Sequence, residues 1–267
     1  MDSPAIFADD ADLARRFGGV ARLYGDAAAA RMRAGRVAVV GIGGVGSWTA
    51  EALARCAVGR ITLIDMDHVA ESNTNRQIQA LDGTYGQSKV EAMAARIRAI
   101  NPAGELQLVD DFVTVDNAAR LIAGFDVVLD CADQVNAKAA LIAAARRARI
   151  AVVSCGAAGG RVDPLRIARG DLACITGDPL LSKVRQRLRR DHGFPKSDGR
   201  RPRKFDVIAV YSDEPVRAPA RIDSAGDISG GLACSGYGSS VVVTAAMGLV
   251  AAAAALDALL LVQGQLA

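Results

Sequence analysis

The sequence predicts an α/β protein with a doubly wound, mostly parallel sheet. Short apolar runs alternate with segments of helical periodicity along residues 36–176, which is the pattern of βαβ units. A glycine-rich turn follows the first apolar run, and acidic residues follow the second and the fourth. Of the 267 residues, 51% are apolar and 23% are charged. The chain is therefore predicted to bury a large core, and disorder throughout is excluded.

The elements of this core follow one another in a regular order. Apolar runs predict strands at 37–40, 61–64, 106–109, 127–129 and 150–153. Helical spacing of apolar residues predicts the helices between them, at 45–56, 87–100, 116–123 and 134–148. No internal repeat interrupts this alternation.

The rest of the chain flanks this core. Residues 1–35 are rich in Ala and Arg and predict a helical lead-in. Residues 177–219 contain five of the eight prolines and break the alternation. They predict a basic helix near 179–192 and a mobile loop at 193–204. Residues 220–267 are expected to complete the same domain with an apolar helix.

The cysteines and the start of the chain favour a cytoplasmic protein. The first residues lack the basic start and apolar run of a secretory signal. The five cysteines form no CxxC pair, which argues against a disulfide framework or a zinc ribbon. Reduced thiols are expected instead. Cys234 is the candidate reactive thiol, because it lies in a stretch rich in Gly and Ser.

One segment leaves a membrane alternative open. Residues 236–256 carry no charge over 21 positions, which is long enough to span a bilayer. Most of these residues are Ala, Gly, Ser, Thr and Val, and Asp257 follows directly. A helix buried in the core or in a dimer interface has the same composition. Membrane association through 236–256 is kept as the alternative to the cytoplasmic prediction.

The glycine-rich turn predicts a nucleotide site. Gly41-Ile42-Gly43-Gly44-Val45-Gly46 matches the GxGxxG pattern between a strand and a helix. Glycines let the backbone approach a phosphate, and the helix N-terminus supplies amide groups. Asp65 ends the next strand, where an acid binds ribose hydroxyls. The pattern predicts a Rossmann-like site but does not distinguish NAD, FAD and ATP.

Charged residues further along the chain favour an adenylating site over a nicotinamide site. Adenylation needs cations that neutralise the reacting phosphates and an acid that holds Mg²⁺. Taken singly, each charge is as well explained by a solvated surface or a helix cap. Their order along one sheet edge favours the adenylating site, and the residues are Asp67, Asn73, Arg76, Lys89 and Asp133.

These motifs resemble the ubiquitin-activating-enzyme-like adenylating family, which includes ThiF, MoeB and HesA proteins. Within it, the chain is most similar to the branch of tRNA threonylcarbamoyladenosine dehydratases. The resemblance covers about residues 15–255. The segments that carry it are 16–25, 39–48, 64–67, 73–78, 109–114, 163–164, 177–180 and 234–238.

The resemblance implies a homodimer with ATP and Mg²⁺ at the sheet edge. It implies that the glycines Gly41, Gly43, Gly44 and Gly46 hold the phosphates. Asp65 is expected on the ribose, and Asp67 is expected among the residues that bind the nucleotide. Asn73, Arg76 and Lys89 are expected on the phosphates, and Asp133 on Mg²⁺.

Two features depart from the sulfur-carrier activators of the family. Those proteins have an arginine in the N-terminal segment that reaches the partner's ATP, and Gly19 stands at that position here. Arg16 and Arg22 are the candidates to replace it. The zinc-binding cysteine pairs of the sulfur-carrier activators are also missing, which fits the dehydratase branch.

The activity implied is ATP-dependent dehydration of N6-threonylcarbamoyladenosine beside the tRNA anticodon. The threonine carboxylate is adenylated, and ring closure then expels AMP. Cys234 is a candidate nucleophile, with packing as its alternative. A cysteine desulfurase system is a further implied partner. The alternatives are an adenylyltransferase for a ubiquitin-like sulfur carrier, an NAD-dependent oxidoreductase and a non-catalytic nucleotide sensor.

The basic segment fits a tRNA substrate. Residues 183–204 hold ten Lys or Arg and two Asp, a net +8 in a chain of net +3, which leaves −5 elsewhere. A solvated helix face is the alternative explanation. Phosphate contacts by basic residues dominate nucleic-acid affinity, so we expect tRNA contacts from Lys183, Arg187, Arg190, Arg200, Arg201, Arg203 and Lys204.

Overall fold

The described residues form a seven-stranded sheet with helices on both faces. The computed structural model describes residues 12–196, 202–219 and 237–262. The strand order is β3-β2-β1-β4-β5-β7-β6, and only β6 runs antiparallel to its neighbour. The strands are β1 (Arg36–Val40), β2 (Arg60–Ile64), β3 (Glu105–Val109), β4 (Val127–Asp130), β5 (Ala151–Cys155), β6 (Ile167–Asp171) and β7 (Ile208–Ser212). The predicted fold class is confirmed.

The helices alternate with these strands. They are α1 (Leu13–Tyr24), α2 (Asp26–Ala34), α3 (Gly46–Arg55), α4 (Lys89–Ile100), α5 (Ala118–Leu121), α6 (Val135–Ala148), α7 (Pro179–Asp191) and α8 (Val241–Val262). The chain moves outward from β1 to β3 and then returns to place β4 on the other side of β1. This reversal leaves a crevice at the carboxyl ends of β1 and β4, where ligands of such sheets bind.

The strands form because their apolar residues are buried on both faces. Residues 37–40, 61–64 and 127–130 are all buried, as is usual for parallel strands covered by helices. Helix α7 begins where Asp178 caps it, since the Oδ1 of that residue accepts from the backbone N–H of Leu181 at 2.9 Å. Pro179 occupies the first position, where a missing N–H costs nothing.

Helix α8 is part of the core. It packs against α3 and against strands β4 to β7, and Met247, Ala251, Ala255 and Leu259 are buried there. One helix of the described chain, over Val241–Leu261, is long and apolar enough to cross a membrane, and 56% of that window is buried. Packing against the sheet favours the buried helix over the membrane span.

Two strands, β6 and β7, were not among the predicted elements. β6 carries Arg169, Gly170 and Asp171, so it lacks the apolar run of a central strand. It lies at the sheet edge and pairs only with β7.

The helix predicted at 116–123 is shorter, because only Ala118–Leu121 is α-helical. Of the predicted loop at 193–204, residues 197–201 lie outside the described residues.

Candidate active site

Two adjoining cavities open at the carboxyl ends of β1, β2 and β4. The larger, of about 340 Å³, is lined by the glycine loop, by the segment after β2, by residues that follow β4 and β5, and by residues of α4, α7 and α8. The second, of about 240 Å³, lies beside it and is bordered by Phe112 and Val113 after β3. The two share Gly41, Asp65, Asp67, Ala132 and Asp133. Together they form one elongated site at the crevice.

The glycine loop needs glycine at its two ends. Gly41 has φ +84°, and a Cβ there would lie 2.9 Å from the carbonyl of Cys131. A Cβ on Gly46 would lie 1.8 Å from the carbonyl oxygen of Gly41. At Gly43, by contrast, a Cβ would meet nothing within 4 Å, because this residue faces the cavity. The loop therefore presents bare backbone to a ligand.

Two carboxylates stand between the cavities. Asp65 accepts from the backbone N–H of Ile42 at 2.6 Å and from that of Asp67 at 2.8 Å. Burial raises the pKa of the Asp65 carboxyl, and the nearby Lys89 and these two hydrogen bonds offset that rise in part. Asp67 accepts a 2.6 Å hydrogen bond from the Nζ of Lys89. Both acids line the two cavities, and the contact of Asp65 with a ribose stays a prediction.

The segment after β2 lies along the larger cavity. Asn73 and Arg76 both line it. The Oδ1 of Asn73 accepts from the N–H of Ala70 at 3.1 Å, which closes a short turn. The Nη1 of Arg76 donates to the carbonyl of Ser72 at 2.8 Å, and its own carbonyl accepts from Trp48 at 3.0 Å. These bonds fix the backbone and leave the remaining guanidinium N–H groups available to a ligand.

Asp133 meets the requirements of a magnesium ligand. It is exposed, borders both cavities and makes no ion pair with any described residue. The described chain holds no preformed group of three or more His, Cys, Asp or Glu for a metal. Mg²⁺ in nucleotide sites is held by one or two carboxylates, with phosphates and waters as the other ligands. A single free carboxylate at this position fits that chemistry.

A buried polar cluster lies beneath the cavity floor. The side chains of Lys138 and Asp130 are both 0% exposed and pair at 2.9 Å. Ser154 of β5 donates to the same carboxylate at 2.7 Å. Beside them, the Sγ atoms of Cys131 and Cys155 are 3.8 Å apart. The hydrogen bond to Cys131 and burial raise the pKa of the Cys155 thiol well above its ordinary value.

A second buried pair anchors the opposite rim. The Nη1 of Arg161 contacts the Oδ2 of Asp178 at 3.1 Å, and both side chains are 0% exposed. The same carboxylate oxygen accepts from the N–H of Ala157 at 3.1 Å, and Arg161 also donates to the carbonyl of Ala157. Ala157 lines the larger cavity. Because Asp178 also caps α7, the pair joins the start of the basic helix to the rim.

The predicted N-terminal arginines are not part of the cavities of their own chain. Arg16 donates to the carbonyls of Ala99 and Ile100, at 2.9 and 3.1 Å. It lines a separate open groove of about 670 Å³ between α1, α3 and α4, which lacks a glycine loop. Arg22 lies on the exposed surface of α1. Cys234, the predicted reactive thiol, lies outside the described residues.

The basic segment is divided between structural and exposed cations. Arg185 donates to the carbonyl of Ile175 at 2.8 Å, and Arg189 packs its guanidinium over the Phe205 ring at 5.4 Å. Arg187 and Arg190 both pair with Asp191. Exposed pairs of this kind are weak and can exchange for a phosphate. Lys183, Arg190, Arg203 and Lys204 are exposed, and Arg200 and Arg201 lie outside the described residues.

Several site residues were absent from the sequence prediction. Gln77 lines the cavity next to Arg76, and its place beside a predicted phosphate ligand was the available signal. Gln79 donates to the carbonyl of Ile42 in the glycine loop at 3.0 Å. Lys138 and Arg161 gave no signal, because a single cation in a sequence is usually exposed. Their acidic partners become visible only in the folded chain.

Comparison with known proteins identifies the family. The model of the ThiF family matches residues 17–266. The chain belongs to the ThiF family. The resemblance inferred from the motifs is thereby confirmed.

Two curated relatives of this ThiF-family chain carry the same name. The tRNA threonylcarbamoyladenosine dehydratase of Haemophilus influenzae is 41% identical, over 92% of this chain and 94% of the relative. That of Escherichia coli K12 is 46% identical, over 91% and 92%. A crystal structure of the E. coli protein in complex with ATP has a TM-score of 0.85 at 45% identity. The match covers 96% of this chain and 98% of the E. coli chain.

Proposed function

We propose that this chain is an ATP-dependent tRNA threonylcarbamoyladenosine dehydratase, which dehydrates and cyclises N6-threonylcarbamoyladenosine through adenylation of its threonine carboxylate. The observation that carries the proposal is the elongated site at the sheet crevice. It brings a bare glycine loop, the cations Arg76 and Lys89, and the free carboxylate of Asp133 to one place. Relatives that share 41–46% identity over nine-tenths of the chain bear this name.

The shape of the site supports ATP as the co-substrate. The smaller cavity has an apolar side at Phe112 and Val113, which suits a purine ring. Asp65 stands between the two cavities, where a carboxylate accepts hydrogen bonds from ribose hydroxyls. The glycine loop and Arg76 border the larger cavity, which suits the triphosphate. The solved E. coli relatives in complex with ATP and with AMP support this nucleotide.

Mg²⁺ completes the proposed site through Asp133. When bound, the ion neutralises charge on the phosphates of ATP. The chain itself supplies Asp133 as the carboxylate, and Arg76 and Lys89 as the cations that stabilise negative charge at the reacting phosphorus. No protein nucleophile is required by this chemistry. Cys234 therefore stays a candidate whose alternative is packing.

The reaction proceeds in two steps on the substrate. A carboxylate oxygen of the threonine attacks the α-phosphorus of ATP. The bond between the α-phosphorus and the oxygen that bridges to the β-phosphorus breaks, and pyrophosphate leaves. A nucleophilic atom of the same side chain then attacks the activated carbonyl and loses its proton to solvent. The bond between the carbonyl carbon and the AMP oxygen breaks, so AMP leaves with one carboxylate oxygen. Ring closure is intramolecular, and such steps reach effective molarities of about 10⁵ M or more.

Two neighbouring basic helices give the tRNA a place to bind. α7 contributes Leu180 to the cavity, and α6 begins directly after Asp133 and Gln134. Helix α6 has 14 residues and α7 has 13, so each runs about 20 Å from the site at 1.5 Å per residue. The two helices pack against each other.

Both helices end in cations. α6 ends with Arg146, Arg147 and Arg149 exposed, and α7 ends with Arg187 and Arg190. The pKa of His192 at the end of α7 is lowered mainly by burial and also by the nearby charge of Arg147 at the end of α6. Because the two helices also pack together, their basic ends are neighbours. We propose that this surface and the exposed cations Lys183, Arg203 and Lys204 contact the tRNA backbone while the modified base enters the cavity.

The assembly and its surroundings are part of the proposal. A homodimer would let Arg16 or Arg22 of one chain act at the site of the other, and the molar mass in solution tests it. A cytoplasmic location suits a tRNA substrate. A cysteine desulfurase partner stays a prediction from the family resemblance.

The test is a reaction of purified protein with ATP, Mg²⁺ and tRNA that carries the modified adenosine. We expect a cyclised nucleoside, lighter by one water, with one AMP released for each product. Arg76→Ala and Asp133→Ala should lose this turnover, while Arg98→Ala, which removes an exposed cation on α4, should retain it.

Pyrophosphate exchange with a carrier protein ending in Gly-Gly, and none with tRNA, would favour a sulfur-carrier adenylyltransferase instead. NADH binding without ATP binding would favour an oxidoreductase, and ATP binding without AMP release a nucleotide sensor.

A further inference from the structure

Lys138 is a buried lysine that contacts three oxygen atoms of a single short segment. Its Nζ lies 2.9 Å from the Oδ2 of Asp130. It also donates to the backbone carbonyl of Asp130 at 3.2 Å and to that of Ala132 at 3.0 Å. An ammonium group has three N–H donors, so all three are used within Asp130–Ala132.

This segment is the wall that both cavities share. Ala132 and Asp133 border the two cavities. On its other side the segment contacts the glycine loop, because a Cβ at Gly41 would lie 2.9 Å from the carbonyl of Cys131 and 3.0 Å from the N–H of Ala132. A shift of the 130–132 backbone would therefore displace both the carboxylate of Asp133 and the turn at Gly41.

We propose that Lys138 is a positioning residue for the adenylation site. It holds the backbone of Asp130–Ala132 so that Asp133 and the glycine loop keep their places around Mg²⁺ and the triphosphate. The inference rests on the proposed function, since it assigns Lys138 to the nucleotide site described above. Lys138 itself does not line either cavity, so it acts through the backbone that it binds.

The bonds to the carbonyl groups distinguish this role from simple charge pairing. Asp130 already accepts a hydrogen bond from Ser154, and one ion pair with Lys138 would neutralise its carboxylate. Asp130 Oδ1 nevertheless has no partner among the described residues, while two of the lysine donors go to main-chain carbonyls. Lys138 thus holds the backbone of Asp130–Ala132 at two carbonyl groups, in addition to its ion pair with the Asp130 carboxylate.

A double substitution separates positioning from charge. Lys138→Met alone leaves a buried carboxylate without a cation, which is strongly destabilising. Asp130→Asn/Lys138→Met removes both charges, leaves an amide that can still accept from Ser154, and frees the two anchored carbonyls. Ser154→Ala is the matched control, because it removes a hydrogen bond to Asp130 and leaves every Lys138 contact in place.

The readouts are the Mg²⁺ dependence of ATP binding, measured without tRNA, and amide hydrogen exchange of residues 131–134. In the folded double variant we expect the apparent affinity for Mg²⁺ in the presence of ATP to fall about 10- to 100-fold, as when outer-sphere partners of metal ligands are removed. Exchange at 131–134 should rise. Ser154→Ala should lose stability with parental Mg²⁺ dependence.

Two results would overturn the inference. Parental Mg²⁺ dependence and parental exchange at 131–134 in the double variant would make Lys138 purely structural. The same change in Ser154→Ala would trace the effect to general loosening of the floor. Failure of the parent protein to bind ATP would defeat the proposed function itself, so the two failures are distinguishable.

Discussion

Lys89 of α4 donates a 2.6 Å hydrogen bond from its Nζ to the Oδ2 of Asp67 at the wall of the larger cavity. The side chain of Lys89 is 9% exposed, whereas that of Asp67 is 56% exposed. The cation is therefore held in a fixed place by an acid that can turn toward solvent. A phosphate that enters the cavity can take the position of the Asp67 carboxylate without moving the lysine far.

Removal of Lys89 should mainly reduce catalysis. Lys89→Ala takes away a preorganised cation next to the reacting phosphates, so kcat/KM for tRNA dehydration should fall by about 10²- to 10³-fold. Steady-state kinetics check this, with Arg98→Ala on the same helix as the control. A Lys89→Ala protein that retains parental kcat/KM would exclude this residue from the phosphate site.

Two glycines of the loop should respond in opposite ways. Gly43→Ala meets no protein atom within 4 Å, so its thermal midpoint should match the parent, while its methyl group enters the cavity and weakens ATP binding. Gly46→Ala places a Cβ 1.8 Å from the carbonyl oxygen of Gly41 and should lower the midpoint by several degrees. Thermal unfolding and ATP titration check both. Equal stability of the two variants would contradict the loop geometry.

Asp65 should limit ATP binding at low pH and lower stability at neutral pH. Its pKa is raised mainly by burial, so the folded protein binds this proton more tightly than the unfolded chain does. A raised carboxyl pKa makes the ionised group unfavourable for folding above that pKa, and the unfavourable contribution disappears on acidification.

The substitution Asp65→Asn tests this sign. Its free energy of unfolding at pH 7 should equal or exceed that of the parent, and the difference should vanish toward about pH 4, near the ordinary carboxyl pKa. Its affinity for ATP should fall about 10- to 100-fold, as expected for the removal of a charged hydrogen-bond acceptor. Denaturant titrations at both pH values provide the measurement. A marked loss of stability at pH 7 would mean that the two backbone hydrogen bonds outweigh the burial of the charge.

The basic ends of α6 and α7 should determine the salt dependence of tRNA binding. Arg147→Gln and Arg149→Gln together should weaken binding uniformly across tRNAs. The slope of log K against log salt should become shallower by about 1 for each phosphate that no longer meets a cation. Neutralising Arg200, Arg201 and Arg203 should act in the same direction. ATP affinity should stay unchanged in every case. Unchanged salt slopes would leave these cations as a solvated surface.

The sequence predicted which residues line the crevice better than it predicted the buried pairs beneath and beside it. Gly41, Asp65, Arg76, Lys89 and Asp133 could be selected because an adenylating site would require these residue types in this order along the chain, and all five line one cavity; their roles stay predictions. The fold brings them to one crevice as expected. The parallel core was predictable for a similar reason, since strands buried on both faces need uninterrupted apolar runs.

The elements that escaped prediction depend on distant partners. Strand β6 has no apolar run, and it forms because it pairs with β7, which follows much later in the chain. The pairs of Lys138 with Asp130 and of Arg161 with Asp178 are buried, although a single cation in a sequence is usually exposed. Such residues can be recognised only when the structure shows which acid each one meets.

The adenylation of the threonine carboxylate is tested most directly with an oxygen isotope. The substrate is tRNA whose threonylcarbamoyl group carries ¹⁸O in both carboxylate oxygens, with unlabelled ATP and Mg²⁺ in ordinary water. The account predicts a cyclised nucleoside that keeps one ¹⁸O at the former carboxyl group, and AMP that carries the other. Cyclised product accompanied by unlabelled AMP would show that the carboxylate never attacked the α-phosphorus, and it would contradict the proposed reaction.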